Sequence, residues 1–203
     1  MLLKHRGMEP RIDRSSRVAQ NATICGDVVI GPNCSIGFGA VLNAESGPIR
    51  IGANCVVMET AVLRGVRGAP LVRGDNVLVG PRAYLTGCTI ESDAFLATGC
   101  TIFNGARIGR GAEVRINGIV HIRTVLPAHS TVPLGWVAVG GPAQILPPDR
   151  HEDIWAIQKA LDFPRYVFGV ARPRDGETIM PQVMPRYAGS LVSGHGSDTV
   201  LDG

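Results

Sequence analysis

The chain has 203 residues and a formal net charge of +3, and 45% of its residues are hydrophobic but only 5% are aromatic. This length allows one domain with a sizeable core, and so small and scattered a positive charge does not support nucleic-acid binding. No window is apolar enough for a membrane span, and the first residues, MLLKHRG, lack the apolar core of a signal peptide. We therefore predict a cytoplasmic protein with neither nucleic acid nor membrane as a partner.

The chain begins with a polar stretch and continues with a regular repeat. Residues 1–17 are rich in arginine and carry a proline, which predicts an N-terminal arm or a first irregular strand. From Val18 to Leu126, aliphatic residues recur every six positions, with short insertions and one five-residue step between Leu85 and Ile90. Such sustained periodicity indicates an internal structural repeat.

A period of six residues suits short strands that alternate with bends. It does not suit an α-helix, because a turn of 3.6 residues would scatter the aliphatic side chains around the axis. Three hexads complete one triangular coil of about 18 residues, and the 26 glycines of the chain favour the bends. We predict an all-β solenoid over residues 18–139, a parallel β-helix whose coils stack about 4.8 Å apart.

The sequence changes character after the repeat. Residues 149–161 begin with acidic side chains and carry apolar ones at helical spacing, which predicts an α-helix within a packing segment of residues 140–172. Residues 173–203 are rich in Pro, Gly, Ser and Met, which predicts an irregular or disordered tail. The cysteines are five in number and show no C-x-x-C pairing, so we predict buried, reduced thiols.

Between Val18 and Leu161 the sequence resembles the γ-class carbonic anhydrases. The likeness is carried by residues 51–55 (IGANC) with 61–63 (AVL), by residues 75–90 (DNVLVGPRAYLTGCTI), and by residues 141–143 (GPA) before a helix. The resemblance implies a left-handed β-helix of hexapeptide repeats that assembles as a homotrimer. It also implies a metal held by three histidines at the boundary between subunits.

The positions that match the three histidines carry Arg64, Pro81 and Thr86. Neither proline nor an arginine cation can coordinate zinc. We therefore expect a divergent member with no metal and no other cofactor, which does not hydrate carbon dioxide. Two further motifs of the family are matched by residues 43–45 (NAE) and 58–59 (ME), and each keeps only its acid.

The repeat predicts which side chains of this pocket share one side of the prism. Counting three hexads per coil puts five residues in a column, each directly after an inward aliphatic: Asn43, Arg64, Thr86, Phe103 and His121. Pro81 and Arg82 fall on the preceding side, where a neighbouring subunit could bring them to the column.

Arg64 and the nearby Arg67 predict a pocket for an anionic small molecule at the subunit interface, because arginine pairs favour carboxylate or phosphate. The predicted substrate-binding residues are Arg64, Arg67, Asn43, Met58, Pro81, Arg82 and Phe103. The predicted catalytic residues are Glu45 or Glu59 as general acid/base, Tyr84 or Thr86 as hydrogen-bonding groups, and His121.

Four alternatives stay open on sequence alone. The chain could still be a carbonic anhydrase with substitute metal ligands, such as His121 with Glu45 or Glu59. Arg64 could pair with Glu59 across a subunit contact and merely neutralise the former metal site. The trimer could be a non-catalytic scaffold or assembly subunit. The hexapeptide repeat by itself also suits an acyl-coenzyme A transferase, for which His121 is the available base.

Overall fold

Short strands stacked in parallel form most of the structure, a computed structural model that describes residues 1–174 and 176–201. Each of the first seven coils contributes one strand to each of three sheets, and an eighth coil adds one more parallel strand to the first sheet. The predicted left-handed parallel β-helix is confirmed. We call the three sheets faces 1, 2 and 3.

The strands are two or three residues long and alternate regularly among the faces. Face 1 contains β1 (Leu2–Lys4), β4 (Thr23–Cys25), β7 (Val41–Asn43), β10 (Val62–Arg64), β13 (Tyr84–Thr86), β16 (Thr101–Ile102), β19 (Ile119–Val120) and β22 (Val137–Val139). Face 2 contains β2 (Arg11–Ile12), β5 (Val28–Ile30), β8 (Ile49–Ile51), β11 (Leu71–Arg73), β14 (Thr89–Ile90), β17 (Arg107–Ile108) and β20 (Val125–Leu126). Face 3 contains β3 (Arg17–Val18), β6 (Ser35–Ile36), β9 (Val56–Val57), β12 (Leu78–Val79), β15 (Phe95–Leu96), β18 (Glu113–Val114) and β21 (Thr131–Val132).

The core of the prism consists of the repeat's aliphatic side chains. Leu42, Leu63 and Leu85 stack on face 1 in adjacent strands and are fully buried. Each such side chain contributes roughly 1.5–3 kcal/mol by leaving water. Alanine and cysteine fill the narrow corners, and all five thiols are buried and free, as predicted.

An asparagine ladder stabilises the corner between faces 2 and 3. Asn33, Asn54 and Asn76 have φ between 53° and 56°, the left-handed region that asparagine tolerates. Each side-chain amide donates to the residue one coil above: Asn33 to Asn54 at 2.7 Å, Asn54 to Asn76 at 3.2 Å, and Asn76 to Asp93 at 2.9 Å. The ladder holds successive bends in register.

The predicted N-terminal arm is instead the first coil. β1 pairs in parallel with β4, β2 with β5, and β3 with β6. Ile12 lies one hexad before Val18 and packs against the core with Leu2, so the repeat begins earlier than the sequence interpretation placed it. A small turn closed by reciprocal hydrogen bonds between His5 and Met8 lengthens this coil and hides its period.

The C-terminal segment (residues 147–174 and 176–201) follows an antiparallel strand, β23 (Gln144–Leu146), which pairs with β22. The predicted helix is present as α1 (His151–Leu161) and is followed by a π-helical turn, Pro164–Phe168. The prediction of an irregular tail is wrong for residues 180–195 and 199–201. Residues Met180–His195 form helix α2, and β24 (Thr199–Leu201) adds to face 1 antiparallel to β1.

Helix α2 is stabilised because one of its faces packs against the solenoid. Val183, Tyr187 and Leu191 recur at i, i+4 and i+8 and are the more buried residues of its middle turns. Residue 175 and residues 202–203 of the predicted tail lie outside the described residues. Within residues 1–174 and 176–201, no helix combines the length and apolarity that crossing a membrane requires.

One inward position of the prism carries a charge. Arg73 occupies the place of a repeat aliphatic on face 2, directly opposite Ile90, and is 3% exposed. Its Nη2 donates to the carbonyl oxygen of Val77 at 3.3 Å, whereas Nε and Nη1 have no hydrogen-bond partner within the described part of the chain. Burial lowers the pKa of Arg73, and a buried charge without an ionic partner is costly.

We therefore expect Arg73→Met to stabilise the protein. An apolar side chain of similar length should raise the free energy of unfolding by about 1–4 kcal/mol, measured by urea denaturation. Arg107→Met, at an exposed position of the same face, is the matched control and should change it by less than about 0.5 kcal/mol. Destabilisation by Arg73→Met would show that the guanidinium has a favourable partner and would contradict the interpretation.

Candidate functional site

A cavity of about 510 Å³ lies between face 1 and the C-terminal segment. Its floor is the outer surface of β10 and β13, and one wall is the loop of residues 65–70. The π-helical turn and helix α2 form its roof. The volume is in the range of small-molecule sites.

The predicted column of side chains on face 1 is confirmed. Arg64 lies opposite Asn43 in one neighbouring strand and opposite Thr86 in the other. Phe103 follows one coil higher, and its ring centroid is 6.2 Å from that of His121. The column arises because consecutive coils pair in register, so residues one coil apart in sequence stack directly.

Arg64 is the centre of the polar floor. It forms an ion pair with Glu45, donates from Nη1 to the Tyr84 hydroxyl at 3.3 Å, and donates from Nη2 to the Tyr187 hydroxyl at 3.2 Å. Burial alone would lower the pKa of Arg64, but its hydrogen bonds to Tyr187, Tyr84 and Glu45 outweigh that effect and raise the pKa. The guanidinium is therefore charged and held in one orientation.

Arg67 adds a second cation to the same cavity. It lies in the loop of residues 65–70, where its backbone N–H donates to the Ser46 hydroxyl at 3.0 Å. Its side chain is in no ion pair with any residue of the described ranges and is exposed. Two guanidinium groups against the one carboxylate of Glu45 leave the cavity with one excess positive charge.

The roof is aromatic. Phe168 makes edge-to-face contacts with Phe163 at 5.8 Å and with Tyr187 at 6.3 Å between ring centroids. Tyr166 is set close to the solenoid because Gly105, at φ +75°, has no side chain; a Cβ there would lie 2.3 Å from the Tyr166 hydroxyl. The cavity thus combines a cationic floor with apolar ring surfaces.

The structure does not bring all predicted site residues together. Met58 and Pro81 line a separate apolar groove of about 430 Å³ on face 3. Glu59 and Arg82 are exposed at a corner of the prism, where the Arg82 backbone N–H donates to the Glu59 carbonyl oxygen. Within one chain, Glu45 rather than Glu59 is the acid that pairs with Arg64.

His121 and Asn43 are half-buried members of the column and do not line the cavity. Burial lowers the pKa of His121, so its ring is neutral near pH 7. Within the described ranges its Nδ1 has no hydrogen-bond partner, and neither does Oδ1 of Asn43. The cysteines are unsuited to nucleophilic attack, since burial raises the pKa of Cys88 and Cys100 to about 12.

The residues at the three matched histidine positions do not fit a zinc ion. Arg64 is a cation paired with Glu45, Thr86 is a buried hydroxyl, and Pro81 has no donor atom and belongs to the groove on face 3. Zinc needs imidazole, thiolate or carboxylate ligands in a near-tetrahedral array. The three matched positions therefore do not supply the ligands of a zinc site.

The sequence interpretation missed the roof entirely. Phe163, Tyr166, Phe168 and Tyr187 were not predicted as site residues, although three aromatics within six positions are conspicuous in a chain with so few. The spacing of Val183, Tyr187 and Leu191 was the available signal that this part of the tail is an amphipathic helix.

Two repeat models match the chain. The model described as "Bacterial transferase hexapeptide (six repeats)" matches residues 9–44, and the one described as "Hexapeptide repeat of succinyl-transferase" matches residues 70–104. Both fall on coils of the β-helix.

Several curated relatives are named as carbonic anhydrases. The chain is 31% identical over 157 residues to "Gamma carbonic anhydrase 2, mitochondrial" of Arabidopsis thaliana, which covers 74% of this chain and 54% of that protein. It is 32% identical over 111 residues to "Carbonic anhydrase" of Geobacillus kaustophilus, covering 55% of this chain and 61% of that one. The chain spans about half the length of the plant relatives it matches.

Solved structures agree on the fold. A putative acetyltransferase from Bacillus cereus superposes with a TM-score of 0.55 at 29% identity, covering 77% of this chain and 90% of that one. The UDP-N-acetylglucosamine acyltransferase of Bacteroides fragilis superposes with a TM-score of 0.57 over 91% of this chain and 79% of that one, and at 14% identity it supports the fold alone. With the repeat, the motifs at residues 51–63 and 75–90, and the carbonic anhydrase relatives, we conclude that the chain belongs to the γ-carbonic anhydrase-like family of hexapeptide-repeat β-helix proteins.

Proposed function

We propose that this protein binds a small organic anion in the cavity between face 1 and the C-terminal segment, without a metal. The observation that carries the proposal is the cavity lining: two arginines and one glutamate on the floor, under a roof of aromatic rings. One excess positive charge suits a monoanion, and the ring surfaces suit an apolar or aromatic group attached to it.

The chemistry of the floor favours a carboxylate or phosphate group. Tyr84, Tyr187 and Glu45 fix the orientation of the Arg64 guanidinium, so little conformational entropy is lost when a ligand accepts from its remaining N–H groups. Glu45 balances the charge of Arg64, so the positive charge of Arg67 remains available to the ligand. Paired guanidinium donors bind carboxylate and phosphate oxygens through two parallel hydrogen bonds.

The same contacts favour binding over proton transfer. Glu45 is engaged by Arg64, which makes it a positioning residue rather than the general acid/base that the sequence predicts. Glu59 is exposed and outside the cavity. We further propose that the protein does not hydrate carbon dioxide, because the matched positions Arg64, Pro81 and Thr86 cannot hold the ion that would activate water.

The proposal predicts charge-selective binding of a simple aromatic acid. Benzoate should stabilise the full chain against heat and give a saturable calorimetric titration, whereas its neutral isostere benzamide should do neither at equal concentration. Arg67→Gln should weaken benzoate binding about tenfold, since a hydrogen bond to a charged group is lost. Arg107→Gln, an exposed arginine on face 2, is the matched control and should bind benzoate as the unaltered chain does.

Equal effects of benzoate and benzamide would contradict the proposal, and so would an Arg67→Gln variant that binds benzoate normally. Arg64→Lys adds an independent check. It keeps the charge that balances Glu45 but loses the planar fork, so it should fold and still bind benzoate several-fold more weakly.

An acyl-coenzyme A transferase is the second candidate function. It is favoured by the 29% identity to a putative acetyltransferase and by the neutral ring of His121, whose Nδ1 is unpaired among the described residues. Titration with coenzyme A separates the two functions. Saturable binding of coenzyme A that His121→Gln weakens, with no response to benzoate, would favour the transferase. If neither ligand binds, the non-catalytic scaffold becomes the better account.

We also propose that the protein is a homotrimer that buries face 3. Five exposed large apolar side chains of the solenoid lie on this face or in the turns that border it: Phe38, Val56, Phe95, Ile116 and Leu134. Patches of this kind on a β-helix mark protein interfaces, and the family resemblance implies three copies. Pro81 and Met58, which line the groove on this face, would then be interface residues.

The trimer proposal predicts that one charge on face 3 dissociates the assembly. Sedimentation should give three chains for the unaltered protein and one for Phe95→Glu, because an unpaired carboxylate would be buried in an apolar interface. Val72→Glu also introduces a carboxylate, but on face 2, and this variant should remain trimeric. Val72 is 37% exposed and Phe95 is 43% exposed, so the two positions are comparable. A monomeric unaltered protein, or a trimer that survives Phe95→Glu and dissociates with Val72→Glu, would contradict this assignment.

A further inference from the structure

A second group of polar side chains lies where the end of the C-terminal segment meets the first coil. It consists of His5, Cys25, His195 and Asp198, and one potential ligand atom from each lies within 4.8 Å of the others. His5 and Cys25 are buried, the side chain of Asp198 is 14% exposed, and that of His195 is 36% exposed. These positions are distinct from those that match the family's three histidines.

Strand pairing brings the four residues together from opposite ends of the chain. β24 pairs antiparallel with β1, and β1 pairs in parallel with β4. His5 directly follows β1, and Asp198 directly precedes β24. Cys25 is the last residue of β4, and His195 is the last residue of α2. The group is therefore built by the docking of the C-terminal segment.

The contacts of His5 fix which ring nitrogen carries a hydrogen. Its Nε2 lies 3.0 Å from the carbonyl oxygen of Glu45, which can only accept, so Nε2 is the donor. In the neutral ring, Nδ1 then presents its lone pair to Oδ1 of Asp198, at 2.5 Å.

Two further electron-rich atoms converge on the same carboxylate. Nδ1 of His195 lies 2.7 Å from Oδ2 of Asp198, and the thiol sulfur of Cys25 lies 3.8 Å from that oxygen. Two ring nitrogens and a sulfur therefore lie within 3.8 Å of an oxygen of one carboxylate, and the potential ligand atoms all lie within 4.8 Å of one another. A positive charge among these atoms, carried by a metal ion or by protons on the imidazoles, would stabilise the group.

We propose that this positive charge is a zinc ion bound by His5, Cys25, His195 and Asp198. Imidazole nitrogen, thiolate sulfur and carboxylate oxygen are the ligands that zinc prefers, and a thiolate disfavours magnesium and calcium. Zinc–ligand bonds of about 2.0–2.3 Å put the ligand atoms of a tetrahedral site about 3.3–3.8 Å apart. The observed spacings, from 2.5 Å to no more than 4.8 Å, bracket this range, so side-chain shifts of about 1 Å complete the site.

The surroundings of His5 match those of a zinc ligand. A histidine that binds a metal through one ring nitrogen usually donates its other N–H to a carbonyl or carboxylate, and the Glu45 carbonyl oxygen accepts that hydrogen bond here. With four ligands from the protein, the coordination sphere is closed. The ion therefore has a structural role and leaves no position for a substrate.

The site ties the roof of the cavity to its floor. Zinc joins α2 and β24 to the first two coils, and α2 carries Tyr187, which contacts Arg64. Glu45 links the two places directly, because its carbonyl oxygen accepts from His5 while its carboxylate pairs with Arg64. Loss of zinc should therefore loosen the C-terminal segment over the cavity. The zinc proposal itself does not depend on anion binding there.

Metal content of the full chain tests the proposal. Protein purified without a metal-affinity tag and dialysed extensively should retain one zinc per chain by mass spectrometry of the metal. After removal by a chelator, titration with zinc alone should restore one equivalent. Cobalt in place of zinc should give the charge-transfer absorption of a thiolate ligand, which identifies Cys25 independently of any activity.

Two substitutions test the ligands without disturbing the prism. Cys25→Ser and His195→Ala should each lower zinc affinity by more than the roughly 10- to 100-fold that loss of an outer-shell partner costs. Cys34→Ser and His151→Ala, a buried thiol and an exposed helical histidine outside the group, are the matched controls and should bind zinc unchanged. Circular dichroism of the metal-free variants verifies that each is folded.

The opposite arrangement has no metal, with both imidazoles protonated around Asp198. It predicts that the purified protein holds no stoichiometric zinc and takes up none from added zinc salt. Failure to retain zinc would overturn the proposal, and so would failure to take it up. Zinc binding that is unchanged in both Cys25→Ser and His195→Ala would overturn it too, as would a cobalt spectrum without thiolate absorption.

Discussion

In-register pairing of successive coils is the constraint on which every other feature of this structure depends. Each coil is a closed triangle, so the parallel backbone hydrogen bonds of one coil fix the position of every side chain in the next. A spacing of about 18 to 22 residues in the sequence becomes direct contact in space. This is why Asn43, Arg64 and Thr86, each in a different coil, lie side by side on face 1.

The same constraint decides what the sequence could predict. The column on face 1 followed from counting hexads, because the aliphatic period fixes the register wherever a core is buried. The first coil was not predicted, because a four-residue turn at His5–Met8 interrupts the six-residue period before Ile12. The roof of the cavity could not be predicted for a different reason. Tyr187 contacts Arg64 although 123 positions separate them in the sequence, and no local pattern encodes the docking of a helix on a distant sheet.

Charge distribution explains how the cavity differs from a metal centre. A guanidinium at position 64 needs a permanent anionic partner when half-buried, and Glu45 supplies it, which leaves that acid unable to act as a free base. The positive charge that remains lies on Arg67, in the loop that joins β10 on face 1 to β11 on face 2. The cavity therefore offers N–H donors that can bind an anion, whereas a metal centre offers a cation that binds and activates water.

The C-terminal segment gives this arrangement its closed form. It begins at the last coil, crosses face 1 through the π-helical turn and α2, and ends as a strand beside the first coil. Antiparallel strands, β23 before this segment and β24 at its end, thus cover both edges of face 1 and protect them from further pairing.

A crystal structure of the full chain with 4-bromobenzoate would test the central claim most directly, because the anomalous signal of bromine locates the ligand without bias. The account predicts one bromine peak under Phe168 and Tyr166, with the carboxylate within hydrogen-bonding distance of Arg64 and Arg67. A structure in which Arg64 and Thr86 lie on different faces, or in which the bromine occupies another site and leaves this cavity without ligand, would contradict it.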